Sequence, residues 1–253
     1  MNMFKEEVEE QALKGAKENL SDVDLAAIGF ACHVSINGRE IAHPFDSRGV
    51  GYIAPRTSPE IRIGPATYCN NFVHTKKHLW LNSKREPVWS PSDCIFVLNG
   101  NRYPFKASPL QVDPKTDYAK LALDGDASFK IQTMLDAVIK YTVRVRSPLV
   151  GEVIYGVLPG PKGIMIYEGK VIELCSSVGG LSDVEHIKHN IPSTASFSGM
   201  PLFAASDGCL VGMHRGGYES LGQNYATAMN STFAKMIRTN ESIINIRIAE
   251  SKN

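Results

Sequence analysis

The sequence contains no cysteine pair at C-x-x-C spacing, and its five cysteines (Cys32, Cys69, Cys94, Cys175 and Cys209) are odd in number. That pattern excludes a disulfide framework and a cysteine-rich structural zinc site. No apolar run approaches the roughly 18 residues that span a bilayer, so no transmembrane segment is expected. The N-terminus lacks the apolar core of an export signal. Charge of one sign is also missing: 27 Lys and Arg face 26 Asp and Glu, for a net +1. No global field therefore draws the chain to nucleic acid or acidic lipid. Internal repeats and low-complexity segments are absent as well. These absences predict a soluble globular protein in a reducing compartment.

What is present changes character along the 253 residues. Phe4, Val8, Ala12, Ala16 and Leu20 stand four apart in a charged stretch, which predicts one amphipathic helix in an extension over residues 1–22. From residue 24 short apolar runs follow, closed by Gly, Pro and Asn: "AAIGFACHVSING", "GVGYIA", "NNFVHTKKHLWLN", "SDCIFVLNG" and "YAKLALDGD". Each reads as a strand ended by a turn. "SFKIQTMLDAVIKY" (128–141) reads as a helical connector, after which "TVRVRS", "GEVIYGVLPG", "GIMIYEGKVIELC", "CLVGMH" and "NYATAM" resume the strands. "STFAKMIR" reads as a C-terminal helix. The expected architecture is all-β, with two antiparallel six-stranded barrels, because closure removes exposed edges. The first barrel is assigned to 23–126, the connector to 127–142, and the second barrel with its helix to 143–253.

Three fragments carry chemistry. Ser198 in "FSGMP" sits in a turn, followed by Gly199 and Pro201, that can expose its hydroxyl. His78 lies where the apolar run of "FVHTKKHLW" gives out, a position from which an imidazole can face a cleft. Asp117 opens the alternating run Tyr118, Leu121, Leu123, with Asp113 as a second choice. A hydroxyl, a base and an orienting carboxylate are what nucleophilic acyl transfer needs. His74 and His78 are four apart, but Thr75 stands where H-E-x-x-H places its glutamate, so no metal site is expected. No cofactor is expected either.

The order His78, Asp117, Ser198 resembles that of chymotrypsin-like proteases. "FVHTKKHL" is similar to the family's "TAAH" segment, "DYAKLAL" to its D-x-A-x-L segment, and "SFSGMPLF" to its G-x-S-G-x-P turn. "CLVGMHRGG" resembles the G-x-H-x-G-G segment of viral 3C-like proteases and of glutamyl endopeptidases. The resemblance implies a serine endopeptidase that processes a viral polyprotein after Gln or Glu, in the host cytoplasm. It implies that Ser193 and His214 read the substrate side chain, that Gly216 and Gly217 admit its backbone, and that the N–H groups of Ser196 and Ser198 hold the oxyanion. Two positions depart from the pattern. Leu79 replaces the cysteine that commonly follows the histidine in secreted members. Ser196 stands where a glycine is usual, which predicts an oxyanion hole that is collapsed until substrate binds. Two other readings follow from the same likeness. One is a bacterial glutamyl endopeptidase. The other is a protease-fold module that binds RNA or protein, with weak RNA binding through Lys76, Lys77, Arg144 and Arg146.

Overall fold

The computed structural model describes residues 33–36, 39–42, 47–80, 82, 86–107, 111–113, 116–137, 140–160, 163–176, 186–218 and 223–229. The expected N- and C-terminal helices lie outside the described residues. A short hairpin, β1 (His33–Ile36) and β2 (Arg39–Ala42), precedes the first sheet.

That sheet holds β3 (Val50–Pro55), β4 (Gly64–Cys69), β5 (Phe72–Lys76), β6 (Cys94–Leu98), β7 (Asn101–Pro104), β8 (Gln111–Asp113) and β9 (Tyr118–Ala122), in the order β7-β6-β3-β4-β5-β9-β8. Two of its hairpins turn on two residues with positive φ, Asn70–Asn71 and Asn99–Gly100. Asn and Gly are the residues that tolerate this conformation, and the resulting turn matches the twist of the strands. The sheet has seven strands where six were expected, because one strand is bent. β7 pairs with β6, the chain then crosses to β9 through the bridge Phe105–Leu123, and β8 continues along β9. Lys106 N–H to Ala122 O (2.9 Å) and Asp124 N–H to Pro104 O (2.8 Å) curl the sheet round on itself.

The second unit is a closed six-stranded barrel. Its strands are β10 (Val153–Gly160), β11 (Gly163–Cys175), β12 (His186–His189), β13 (Pro201–Ala204), β14 (Leu210–Tyr218) and β15 (Gln223–Ala228), in the order β10-β11-β12-β15-β14-β13. The connector helix, α1 (Ala127–Asp136), buries Ala127, Ile131 and Leu135 on one face. "TVRVRS" is not a strand: Val145 makes a single bridge to Leu210, flanked by main-chain bonds from Arg146 N–H to Leu210 O and from Leu210 N–H to Arg144 O.

Each unit has its own apolar core, with Trp80, Tyr68, Phe96 and Phe105 in the first and Ile154, Ile187, Leu202 and Val211 in the second. A third cluster spans both. Val50, Cys69 and Tyr118 from the first sheet pack with Tyr155, Phe203, Met213 and Met229 from the second. Apolar burial of this kind, worth roughly 25 cal/mol per Å², fixes the two units against each other. Side chains from both can therefore meet in one cleft.

Candidate active site

His78 leaves β5 in a 3₁₀ turn, Lys77–Leu79, and is half exposed. Its Nδ1–H donates to Asp117 Oδ2 at 2.6 Å, and its backbone N–H donates to Asp117 Oδ1 at 3.1 Å. Asp117 is buried and has φ +54°, a left-handed conformation that a branched side chain would resist. Main-chain bonding holds it there, since Lys77 N–H donates to Asp117 O at 3.0 Å. Burial pushes the Asp117 carboxyl up. The His78 hydrogen bond and the charges of Lys76, His78 and Arg215 outweigh that, and hold it below the usual carboxylate range.

Ser198 is buried, and its Oγ–H donates to the Arg215 carbonyl at 2.9 Å. Arg215 is the extra residue of a bulge between His214 and Gly216, which turns its carbonyl out of the β14–β15 ladder. Its guanidinium reaches Asp117 Oδ2 at 3.9 Å. One residue thus touches both Ser198 and the acid, which ties the three fragments into one place. Nothing in the sequence marked Arg215, because a bulge has no local signature beyond the glycines that follow it.

Gly199 N–H donates to His214 O (2.9 Å) and His214 N–H to Met200 O (2.8 Å), which zips the Ser198 turn to β14. Gly199 has φ +98°, and a Cβ there would stand 2.5 Å from Pro65 O. Gly199→Ala is therefore expected to destabilise the fold by about 2 kcal/mol or more, measurable as a lower urea midpoint at unchanged m.

The segment expected to form the oxyanion hole stands as a 3₁₀ turn, Ala195–Phe197, with Phe197 N–H donating to Thr194 O at 3.0 Å. The exposed Ser196 side chain lies 2.8 Å from the Thr194 hydroxyl.

Two hydrogen-bond chains run through the expected specificity residues. Ile191 N–H donates to His189 Nδ1 (3.3 Å), so the His189 proton is on Nε2. His189 Nε2–H then donates to His214 Nδ1 at 3.0 Å, which places the His214 proton on Nε2. That buried N–H has no acceptor among the described residues. Burial pulls His189 down to about 4, and burial with the charges of His189, Lys76 and His78 pulls His214 down to about 3. Both rings are neutral near pH 7.

In the second chain, Asn224 Nδ2–H donates to Ile191 O at 2.8 Å, which fixes the orientation of the amide. Asn224 Oδ1 therefore accepts the Ser193 proton, and Ser193 Oγ keeps its lone pairs for a guest. Asn224 pairs with His189 on one side and Gly217 on the other. Gly216 has open space where a Cβ would be. At Gly217 the Asn224 Oδ1 lies 2.5 Å from that point, so this glycine makes room for Asn224. The roles of His189 and Asn224 escaped the sequence reading, because "HIKH" does not read as a strand and "NYATAM" reads only as one.

Three of the four cations expected to contact RNA are engaged elsewhere. Lys76 is 0% exposed. Arg146 pairs with Glu152 (2.6 Å) and Asp207 (2.7 Å), and Arg144 donates to Asp207 O. Burial removes Lys76 from any phosphate surface. His74 is also buried; its Nε2–H donates to Cys69 O (2.9 Å), and its Nδ1 accepts from the Tyr118 hydroxyl. Among the described residues no group of His, Cys, Asp or Glu is arranged to hold a metal ion.

No family model and no curated protein matches the chain. Solved structures do. The Rv3671c protease of M. tuberculosis, in its inactive form, superposes with a TM-score of 0.53 at 13% identity, covering 76% of this chain and 89% of that one. The MamO protease domain of Magnetospirillum magneticum gives 0.56 at 14%, covering 79% and 100%. Catalytically active tobacco etch virus protease complexed with product gives 0.56 at 16%, covering 85% and 89%. The chain has the chymotrypsin-like protease fold. At these identities the likeness establishes the architecture, and the chemistry rests on the side chains described above.

Proposed function

We propose that this protein is a serine endopeptidase that cleaves a viral polyprotein after glutamine, in the host cytoplasm and without a cofactor. The Asp117–His78 hydrogen bond, joined to Ser198 through Arg215, carries this reading. Ser198 attacks the scissile carbonyl, and His78 Nε2 takes its proton. Asp117, bonded to Nδ1–H, holds that tautomer and stabilises the imidazolium. His78 then protonates the leaving amine, and water releases the acyl group by the same steps. The oxyanion is held by the N–H groups of Ser196 and Ser198 once substrate draws the 195–197 turn out of its 3₁₀ form. The viral assignment is supported by the lack of paired cysteines among the described residues, and a reducing compartment suits the free thiols of Cys69, Cys94, Cys175 and Cys209.

Pocket polarity favours glutamine over glutamate. His214 Nε2–H offers a donor and Ser193 Oγ an acceptor, which a primary carboxamide matches with its C=O and NH₂. A carboxylate would set an anionic oxygen against the Ser193 lone pairs and leave no donor for them. Peptides ending in Gln before the scissile bond are expected to exceed their Glu counterparts in kcat/KM by about a hundredfold at pH 7.5. Ser193→Ala should narrow that ratio by about tenfold. A preference for Lys or Phe at this position would overturn the pocket assignment while leaving the Ser198 chemistry standing.

A further inference from the structure

The "TAAH"-like segment of this chain carries lysine at position 76, and that side chain points inward. Lys76 Nζ donates to Thr227 Oγ1 at 2.6 Å and to Thr116 O at 3.4 Å. Thr227 Oγ1–H in turn donates to Thr116 O at 3.0 Å, so its one proton is used there and it receives Nζ–H on a lone pair. Lys76 belongs to β5 of the first sheet and Thr227 to β15 of the barrel. The ammonium therefore sits in the seam between the two units, directly behind the turn that carries Asp117.

A buried ammonium is expensive, and it is kept only where an anion and hydrogen bonds compensate it. The ionisable groups that face it are Asp117 from the turn, His214 and Arg215 from β14, and, beyond Asp117, His78. Cross-strand from it stands Tyr118, which binds His74. Burial pulls Lys76 down to about 8, while Asp117 draws it up and Arg215 draws it down. It remains charged through neutral pH. Asp117 is the one anion in this set, so the cation and the strained acid turn are matched to each other.

We propose that Lys76 is a positioning residue for the reaction: its ammonium pins the left-handed Thr116–Asp117 turn to Thr227 of the second barrel and counterbalances the carboxylate that orients His78. It acts only by keeping Asp117 charged and in place when the two units are docked. This rests on the serine endopeptidase reading for its kinetic consequence, but its structural consequence can be read without any substrate.

The test is Lys76→Met, together with Thr227→Val, which keeps the shape of Thr227 and removes its hydroxyl. Lys76→Met is expected to fold with a lower Tm, because it leaves the buried Asp117 carboxylate without its ammonium. Its kcat should fall about ten- to a hundredfold, since small misplacements of catalytic groups cost that much, while KM stays within about twofold. In a Ser198→Ala background, the far-downfield proton resonance of the His78 Nδ1–H···Asp117 bond should shift or broaden in Lys76→Met, and to a lesser degree in Thr227→Val. That resonance would not respond to a merely structural lysine. If it is unchanged in both variants, or if Lys76→Met keeps wild-type kcat, the proposal is overturned. Should Lys76→Met fail to fold, Thr227→Val decides by the same two readouts. If wild type itself cleaves no peptide, the protease reading fails, and the resonance still reports on Lys76.

Discussion

Ser198→Ala is expected to lower kcat by about a millionfold, as removal of the nucleophile does when it acts as a unit with its base. KM should change little, because the pocket donors and acceptors belong to His214 and Ser193. The Ser198 Oγ–H bonds to the Arg215 carbonyl in the substrate-free protein. Alanine therefore leaves that carbonyl without one donor, at a cost of about 1 kcal/mol. The fold should survive, since Gly199 N–H and His214 N–H still zip the turn to β14. The measurement is single-turnover cleavage of a Gln-containing peptide, with circular dichroism as the control for folding. Wild-type turnover by a folded Ser198→Ala protein would remove the nucleophile assignment. It would leave the fold and the polarity of the pocket as they are.

The sequence revealed whatever its local chemistry could announce. Apolar runs bounded by Asn-Asn, Asn-Gly or Asp-Gly marked β5, β6 and β9, and "SFKIQTMLDAVIKY" marked the connector. β4 was missed because "GPATYC" opens with Gly-Pro and reads as a turn. In the fold that strand lies in mid-sheet with every residue buried, and Pro65 opposes Tyr52. "TVRVRS" erred the other way. Its β-branched alternation suits a strand, yet only Val145 finds a partner. His78, Asp117 and Ser198 were singled out because their motifs are contiguous. Arg215, His189 and Asn224 were not, since each acts through a contact that exists only once β12, β14 and β15 have closed into a barrel. Lys76 is the sharpest case. As part of "TKKH" it looks like a surface charge, and only the docking of β15 against the Asp117 turn makes it the most enclosed cation described.

Asp117→Asn should reduce kcat by about four orders of magnitude, because an amide cannot hold the His78 tautomer that accepts the Ser198 proton. The same substitution carries a stability signature that a purely catalytic acid would lack. Asp117 is the carboxylate that draws the buried Lys76 ammonium back towards its ordinary range. Without it Lys76 remains sealed with Thr227 and Thr116 but has no anion to balance it, and folding must bear that uncompensated charge. The sign of the pH dependence follows from proton counts. Lys76 in the folded wild type titrates at about 8, below its value of 10.5 in the unfolded chain. Between those values the unfolded state binds more protons, so stability contributed by this group rises with pH from about 8 to 10.5. Loss of Asp117 lowers the folded-state value further, and the rise then begins below pH 8. Urea unfolding at pH 6.5, 7.5 and 8.5 should show Asp117→Asn less stable than wild type at the lowest pH, with the deficit shrinking as pH climbs. Combining it with Lys76→Met should abolish that pH-dependent recovery, since the double variant has no buried charge left to shed. A deficit that stays constant with pH would separate Lys76 from Asp117 and leave the acid acting on His78 alone.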